Sequence, residues 1–208
     1  MAETGADLDR RLAEATERLG DAARSMLRRA AAAEGMSPTQ AQLLLRITSS
    51  GTRDRGTGSL AGWLAVSAPT VSDALAALTD KGLVERSAPR VWTATARGRE
   101  AAGRITRWRD PVLAALHALP VAAKAQSLTV LLNVIVELNA AGIISTARTC
   151  LSCRFYQPHP PDDGWCALLE QTLAPAALRV DCAEHVPAGA QQPARQPPSA
   201  HRYPETSG

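Results

Sequence analysis

Four cysteines carry the clearest chemistry in the 208-residue sequence. Cys150, Cys153, Cys166 and Cys182 follow the spacing C-x2-C-x12-C-x15-C, and no other cysteine occurs. Two thiolates so close can grip a metal or cluster from one turn, and the two distant thiolates would tie later segments to the same centre. Two ligand chemistries fit. Structural zinc takes four cysteines in a tetrahedron, commonly as two close pairs, and only one close pair is present here. An iron–sulfur cluster also takes four thiolates, with more varied spacing, and its stability depends on shielding from water. Of the seven Phe, Tyr and Trp side chains, Phe155, Tyr156 and Trp165 lie among the cysteines and could supply that shield. These surroundings favour a 4Fe-4S cluster over Zn2+. His159 and His185 are substitute ligands, although a solvated loop histidine is the more usual role. A disulfide switch is a minor option and needs exposed thiolates of low pKa.

The rest of the chain says where such a site would sit. The start is polar, and the best apolar run, 128–138, is interrupted by Asn133 and too short to span a bilayer. A cytoplasmic protein away from the membrane is therefore expected, in a compartment that keeps thiols reduced and favours metal over disulfide. Hydrophobic residues make up 45% but aromatics only 3%, so aliphatic side chains and alanine must fill the core. Net charge is +3, divided unevenly: residues 1–143 hold eighteen bases and fourteen acids, the remainder five Arg and six acids. A basic N-terminal body suits nucleic acid. No phosphate-binding glycine loop, Ser/His/Asp set or paired-carboxylate site stands out, so the chain is not expected to be an enzyme.

Periodicity divides the body into helices and a hairpin. Leu8, Leu12, Ala15, Leu19, Met26, Ala30 and Ala33 trace the stripe of a long first helix ending near Gly35. Ser37-Pro38 opens a second helix, residues 59–65 form a short third, and Ser67 caps a fourth beginning at Ala68-Pro69. Val71, Leu75 and Leu78 are its buried stripe and Gly82 its C′ residue. Two short strands, 83–86 and 90–93, flank Pro89 as a hairpin. Helix returns at Ala96, restarts at Asp110-Pro111, and a last helix follows Pro120 with Leu128, Leu131, Leu132, Ile135 and Leu138 on one face.

Helix, capped turn, helix and hairpin make the winged helix-turn-helix order, whose second helix fits the major groove. Residues 60–72 (LAGWLAVSAPTVS) resemble the LA..L.VS.PTVS pattern of MarR-type regulators. Residues 78–86 resemble the L...GLV.R that follows it, and Thr95 to Gly98 resembles the LT..G that opens the long helix after the wing. The likeness covers about residues 7–143. It implies that Ser67, Pro69, Thr70 and Ser72 sit at the DNA face, and that Arg86 and Arg90 serve the wing. The first helix and the last two would form a homodimer on a pseudo-palindromic operator in double-stranded DNA, with half-sites about 10 bp apart. Two features depart from the pattern. The wing is short, and Asp73 stands where a basic residue is common, with no Lys or Arg between Val66 and Asp80. Asp73 either accepts from a cytosine N4 or is a solvated helix residue. Phosphate affinity then falls to Arg53, Arg55, Arg86, Arg90 and Arg97.

The expected fold is mainly α with a small β-hairpin wing: a winged helix-turn-helix with long dimerisation helices plus a small Cys-rich C-terminal module. The expected division is a DNA-binding and dimerisation domain (1–143), a four-cysteine extension (144–186), which also resembles small 4Fe-4S modules, and a disordered Pro-rich tail (187–208). The expected function is a transcriptional repressor whose operator affinity is controlled by an iron–sulfur cluster sensing redox state, oxygen, nitric oxide or iron. One alternative is a MarR-type repressor with structural zinc and a small aromatic or phenolic effector. A second is a redox or electron-transfer protein, and a third is a winged helix used for protein contacts.

Overall fold

The computed structural model describes residues 5–49, 55–89, 91–159 and 163–189. Alanines and close charge pairs (Arg10 with Asp7 and Glu14, Arg24 with Asp21) favour the 29-residue helix α1 (Gly5–Ala33). Gly35, at φ +65°, releases the chain, and the Met36 N–H reaches back to the Ala31 carbonyl at 2.9 Å. Helix α2 (Pro38–Ser49) starts at a reciprocal cap: the Ser37 N–H donates to Gln40 Oε1 and the Gln40 N–H to Ser37 Oγ, both at 3.2 Å.

The apolar stripe on α1 is covered only near its end. Leu27 and Ala31 are buried, whereas Leu8, Leu12 and Leu19 are 60%, 50% and 67% exposed. Only the C-terminal part of α1 is buried against α2, helix α5 and the turn that follows α5. Between Gly5 and Gly20 no residue is buried, so that half presents leucines that nothing among the described residues covers.

Helices α3 (Thr57–Leu64) and α4 (Ala68–Asp80) follow, with the chain turning 111° between them, as in a helix-turn-helix. Ala65 ends α3 in the left-handed region, φ 54°, and Ser67 opens α4. The wing is β1 (Val84–Ala88) antiparallel to β2 (Val91–Ala94), with an irregularity between Arg86 and Ala88. Helix α5 (Ala96–Thr106) is capped by Thr95, whose Oγ1 accepts from the Gly98 N–H at 3.0 Å and donates to the Gly82 carbonyl at 2.7 Å. Gly98 is fixed by proximity, because a Cβ there would lie 1.9 Å from the Leu83 carbonyl oxygen. A 3-10 turn (Arg107–Arg109) leads into α6 (Asp110–His117), and α7 (Val121–Ala140) follows Pro120. Leu43, Leu44, Ile47, Leu60, Val71, Leu75, Leu78 and Ile105 are fully buried in the body's core, each stabilising it by about 1.5–3 kcal/mol.

Helix α7 is longer than the interrupted apolar run read from the sequence. Among the described residues it alone is long and apolar enough to cross a membrane, with mean hydropathy 1.4. Its one buried residue, Leu132, packs with Cys150, Leu173 and Leu178 of the C-terminal segment. That module adds a sheet the sequence did not announce: β3 (Tyr156–His159), β4 (Asp163–Cys166) and β5 (Gln171–Leu173), antiparallel in that order. The module also runs past its expected end. Pro187 bridges Cys153, and the Ala188 N–H donates to the Ser152 carbonyl at 3.0 Å. The rest of the expected tail, 190–208, lies outside the described residues.

Candidate nucleic-acid interface and thiolate site

The α4 N-terminus is prepared by its cap. Ser67 Oγ accepts from the Thr70 N–H at 3.3 Å and shares a 2.8 Å hydrogen bond with Thr70 Oγ1. Pro69 occupies the first turn, where its missing N–H costs nothing. Val71, Ala74, Leu75 and Leu78 face the core, which leaves Ser67, Pro69, Thr70, Ser72, Asp73 and Ala76 exposed together. Ser67 and Thr70 are thus partly engaged in capping, yet both still face solvent beside Ser72 and Asp73. The exposed surface of this helix is small, neutral and acidic.

Arg86 is exposed on β1, with its guanidinium over the Trp92 ring at 5.4 Å. Arg55 lies beside the wing: its carbonyl accepts from the Trp92 N–H at 3.1 Å. Arg97 is exposed on the first turn of α5. Arg55 thus lies along β2 and Arg86 on β1, while Arg53 and Arg90 lie outside the described residues.

The four cysteines are free thiols spread over the C-terminal segment 150–182. Cys150 opens a short turn and is buried with Leu132, Leu173 and Leu178. The Cys153 N–H closes that turn onto the Cys150 carbonyl at 3.0 Å. Cys166 lies across from Tyr156 in the β3–β4 register. Cys182 is anchored by its N–H to the Arg148 carbonyl at 2.9 Å. Burial pushes the Cys150 thiol up; the Arg179 N–H donated to its sulfur at 3.2 Å opposes this, while Cys182, Cys166 and Cys153 raise it further. All three other sulfurs are thus within electrostatic reach of Cys150. No three His, Cys, Asp or Glu side chains among the described residues are close enough to hold a single metal ion.

Side-chain alternation sorts the aromatic residues. Tyr156, Gly164, Cys166 and Leu173 share one face of the small sheet. The Tyr156 ring lies on Gly164, where a Cβ would be 2.2 Å from it. Trp165 points to the opposite face, so Tyr156 and the leucines, rather than Trp165, cover the cysteine side. Phe155 stacks under Arg154, 4.6 Å from the guanidinium. His159 is exposed at the end of β3. His185 Nε2 pairs with Ser152 Oγ at 3.0 Å, and burial pushes its imidazole pKa down. The sequence had not singled out Arg179, Arg46 or Asp181. Arg179 supplies the N–H to Cys150, and its Nη1 lies 3.9 Å from Cys182 Sγ; Arg46 on α2 is buried and pairs with Asp181, next to Cys182.

No protein-family model matches the chain, and no curated protein matches it. Solved structures do. A MarR family transcription regulator, SP03579, superposes with a TM-score of 0.56 at 18% identity, covering 66% of this chain and 95% of that one. The MarR family transcriptional regulator Sco5413 from Streptomyces coelicolor gives 0.50 at 20% identity, covering 66% of this chain and 98% of its own. The Mycobacterium tuberculosis MarR family protein Rv2887, in complex with DNA, is 28% identical with a TM-score of 0.42, covering 52% and 85%. The first two superpositions show that the chain has the winged helix-turn-helix fold found in MarR family structures.

Proposed function

We propose that this chain is a homodimeric, DNA-binding transcriptional repressor of the MarR type, cytoplasmic and not an enzyme. The observation that carries the reading is the exposed N-terminal face of α4, presented beside the hairpin by a fold shared with MarR family regulators. Ser67, Pro69, Thr70, Ser72 and Asp73 would meet base edges, and Arg55, Arg86 and Arg97, with Arg53 and Arg90, would meet phosphates. The leucines left uncovered on α1, together with exposed Leu113 and Leu116 on α6 and Leu131 and Val134 on α7, would form the dimer interface.

The four thiols would hold a 4Fe-4S cluster, which supplies a redox-labile centre when bound. Two observations support it. The three other cysteines act electrostatically on Cys150, the proximity that a shared four-thiolate centre needs. A backbone N–H and a guanidinium already point at the sulfurs, as in sites where hydrogen bonds tune cluster potential. The chain's own part is to bury Cys150, exclude water with Tyr156, Leu173 and Leu178, and fix Cys182 through Arg148. Redox state, oxygen, nitric oxide or iron supply would be the signal, and operator affinity the output.

Anaerobic purification with iron, sulfide and zinc analysis, followed by DNA-binding titration, tests both halves. Brown protein with about four irons and four sulfides per chain and salt-sensitive duplex binding is the expected result. Colourless protein with one zinc per chain would replace the cluster by structural zinc, and loss of all duplex binding would end the regulator reading.

A further inference from the structure

Arg46 is the one charged side chain among the buried residues described, only 5% exposed on an α2 whose other buried residues are Ala41, Leu43, Leu44 and Ile47. A buried guanidinium needs a partner, and its partner comes from the far end of the chain: Arg46 Nη1 donates to the Asp181 carboxylate. The other Asp181 oxygen takes Arg148 Nε at 3.3 Å, and Arg148 also donates through Nη2 to the Cys182 carbonyl at 2.6 Å. One carboxylate beside Cys182 therefore joins an arginine of the cysteine module to an arginine of the winged body. On the body side the Arg46 guanidinium stacks over Trp63 of α3, 4.9 Å from the ring centroid. A second link reaches the same helix, where Ser145 Oγ donates to the Gly62 carbonyl at 2.5 Å.

The surroundings make these links decisive. A cavity of about 590 Å³ lies between body and module, walled by Leu45, Trp63, Arg109, Ile135 and Val180, so apolar packing does not weld the two together there. Polar links span the gap, and they end on α3, the helix just before the Ser67 turn.

We propose that the Asp181–Arg46–Trp63 chain carries the state of the four-thiolate site directly to α3 and so to the aim of α4. The inference rests on the four-thiolate reading above. With the thiolates closed on a common centre, Cys182 is fixed and Asp181 is held against Arg46. With the centre lost, the segment around 179–182 is released, and Arg46 is left as an uncompensated charge in an apolar stripe. Helices α2 and α3 must then repack, which makes them the two-state element that both sites bias.

Hydrogen exchange of the full-length protein in α3 (57–64) and in 150–182 tests the link, alongside anisotropy titration of a duplex enriched from a randomised pool by the wild-type protein. Wild type, Asp181→Asn and Arg46→Met are each compared with and without iron. The wild-type chain should show slower exchange in α3 when loaded, and at least a fivefold difference in duplex affinity between the two forms. Asp181→Asn should keep its iron yet show fast α3 exchange in both forms, with the affinity ratio collapsing to about one. Should Asp181→Asn itself shed iron, Arg46→Met, which is remote from the thiolates, must produce the same collapse. Full iron content with an unchanged ratio and unchanged α3 exchange in both variants overturns the proposal. A wild-type chain that loads neither iron nor zinc would instead end the four-thiolate reading. The bridge would then stand or fall on α3 exchange in the metal-free variants against metal-free wild type.

Discussion

The winged body and the cysteine module are built on different physics. The body buries nineteen mutually packed residues, nearly all aliphatic, from α1 to α5. The module's apolar cluster holds four buried residues, one of them a cysteine and one, Leu132, lent by α7. Its strands are three or four residues long and its turns are held by backbone hydrogen bonds. A core that small does not offset the entropy of ordering some forty residues; a ligand that binds only the folded arrangement would. The body should therefore fold on burial alone, while the module should follow the occupancy of its thiols.

The largest expected effect breaks the body. Leu75→Ala removes a fully buried side chain from the middle of the core and should cost about 2–5 kcal/mol in denaturant unfolding, abolishing duplex binding where the remaining stability is small. The matching change in the module, Cys150→Ser, should erase hydrogen-exchange protection in 150–182 yet leave the body a cooperative transition of its own, lowered only by the loss of the Asp181–Arg46 pair. A Cys150→Ser chain that lost the body's transition as well would show that the two regions fold as one.

Two glycines sharpen the contrast further. Gly98→Ala forces a methyl against the Leu83 carbonyl, where the backbone on both sides is fixed, and should cost about 1–3 kcal/mol of global stability by calorimetry. Gly164→Ala meets the Tyr156 ring, a side chain able to swing. It should loosen only the module, read as lower iron retention on dilution with the calorimetric transition unmoved. Below these in size is Ser67→Ala, which removes the cap of α4. It should cost about 1 kcal/mol in stability, and more in duplex affinity than in folding if the cap also faces DNA.

The same contrast governs what was legible in the sequence. Helix limits in the body are written locally. Ser67-Pro69 caps α4, Gly82 takes φ +66° as its C′ residue, and Pro120 precedes α7 as read. The expected α3 began two residues late, at Ser59 rather than Thr57, because Gly56 caps it without a side chain to announce the start. The stripe on α1 was legible as an apolar face but not for what covers it, and among the described residues nothing buries its N-terminal half. The module's sheet was invisible because its short strands contain Pro158 and Gly164 and no clean alternation. Arg46 reads from sequence as a solvated charge; the carboxylate that buries it is 135 residues away, beyond any local pattern.

The smallest expected effect separates body from module by pH. Glu34, at the end of α1, takes a bidentate contact from Arg104 of α5 (Nε to Oε1 2.7 Å, Nη2 to Oε2 2.8 Å). The Arg104 hydrogen bonds hold the Glu34 carboxyl below the usual range, against a weaker opposing pull from burial. A carboxylate whose folded pKa lies below its unfolded value stabilises fully above about pH 4.3. That contribution fades as pH falls through the lower, folded pKa. Arg104 is largely exposed, so solvent screens the pair and the effect should be smaller than that of the Ser67 cap. Glu34→Gln should thus lower the body's unfolding midpoint slightly at pH 7, and the gap from wild type should close as the solution is acidified below the carboxylate range. Because Glu34 and Arg104 join only α1 to α5, exchange protection in 150–182 should be the same in both proteins at pH 7. A module that loosened along with the body would mean that strain in the α1–α5 packing reaches the thiols, and that the two regions are less separable than their cores imply.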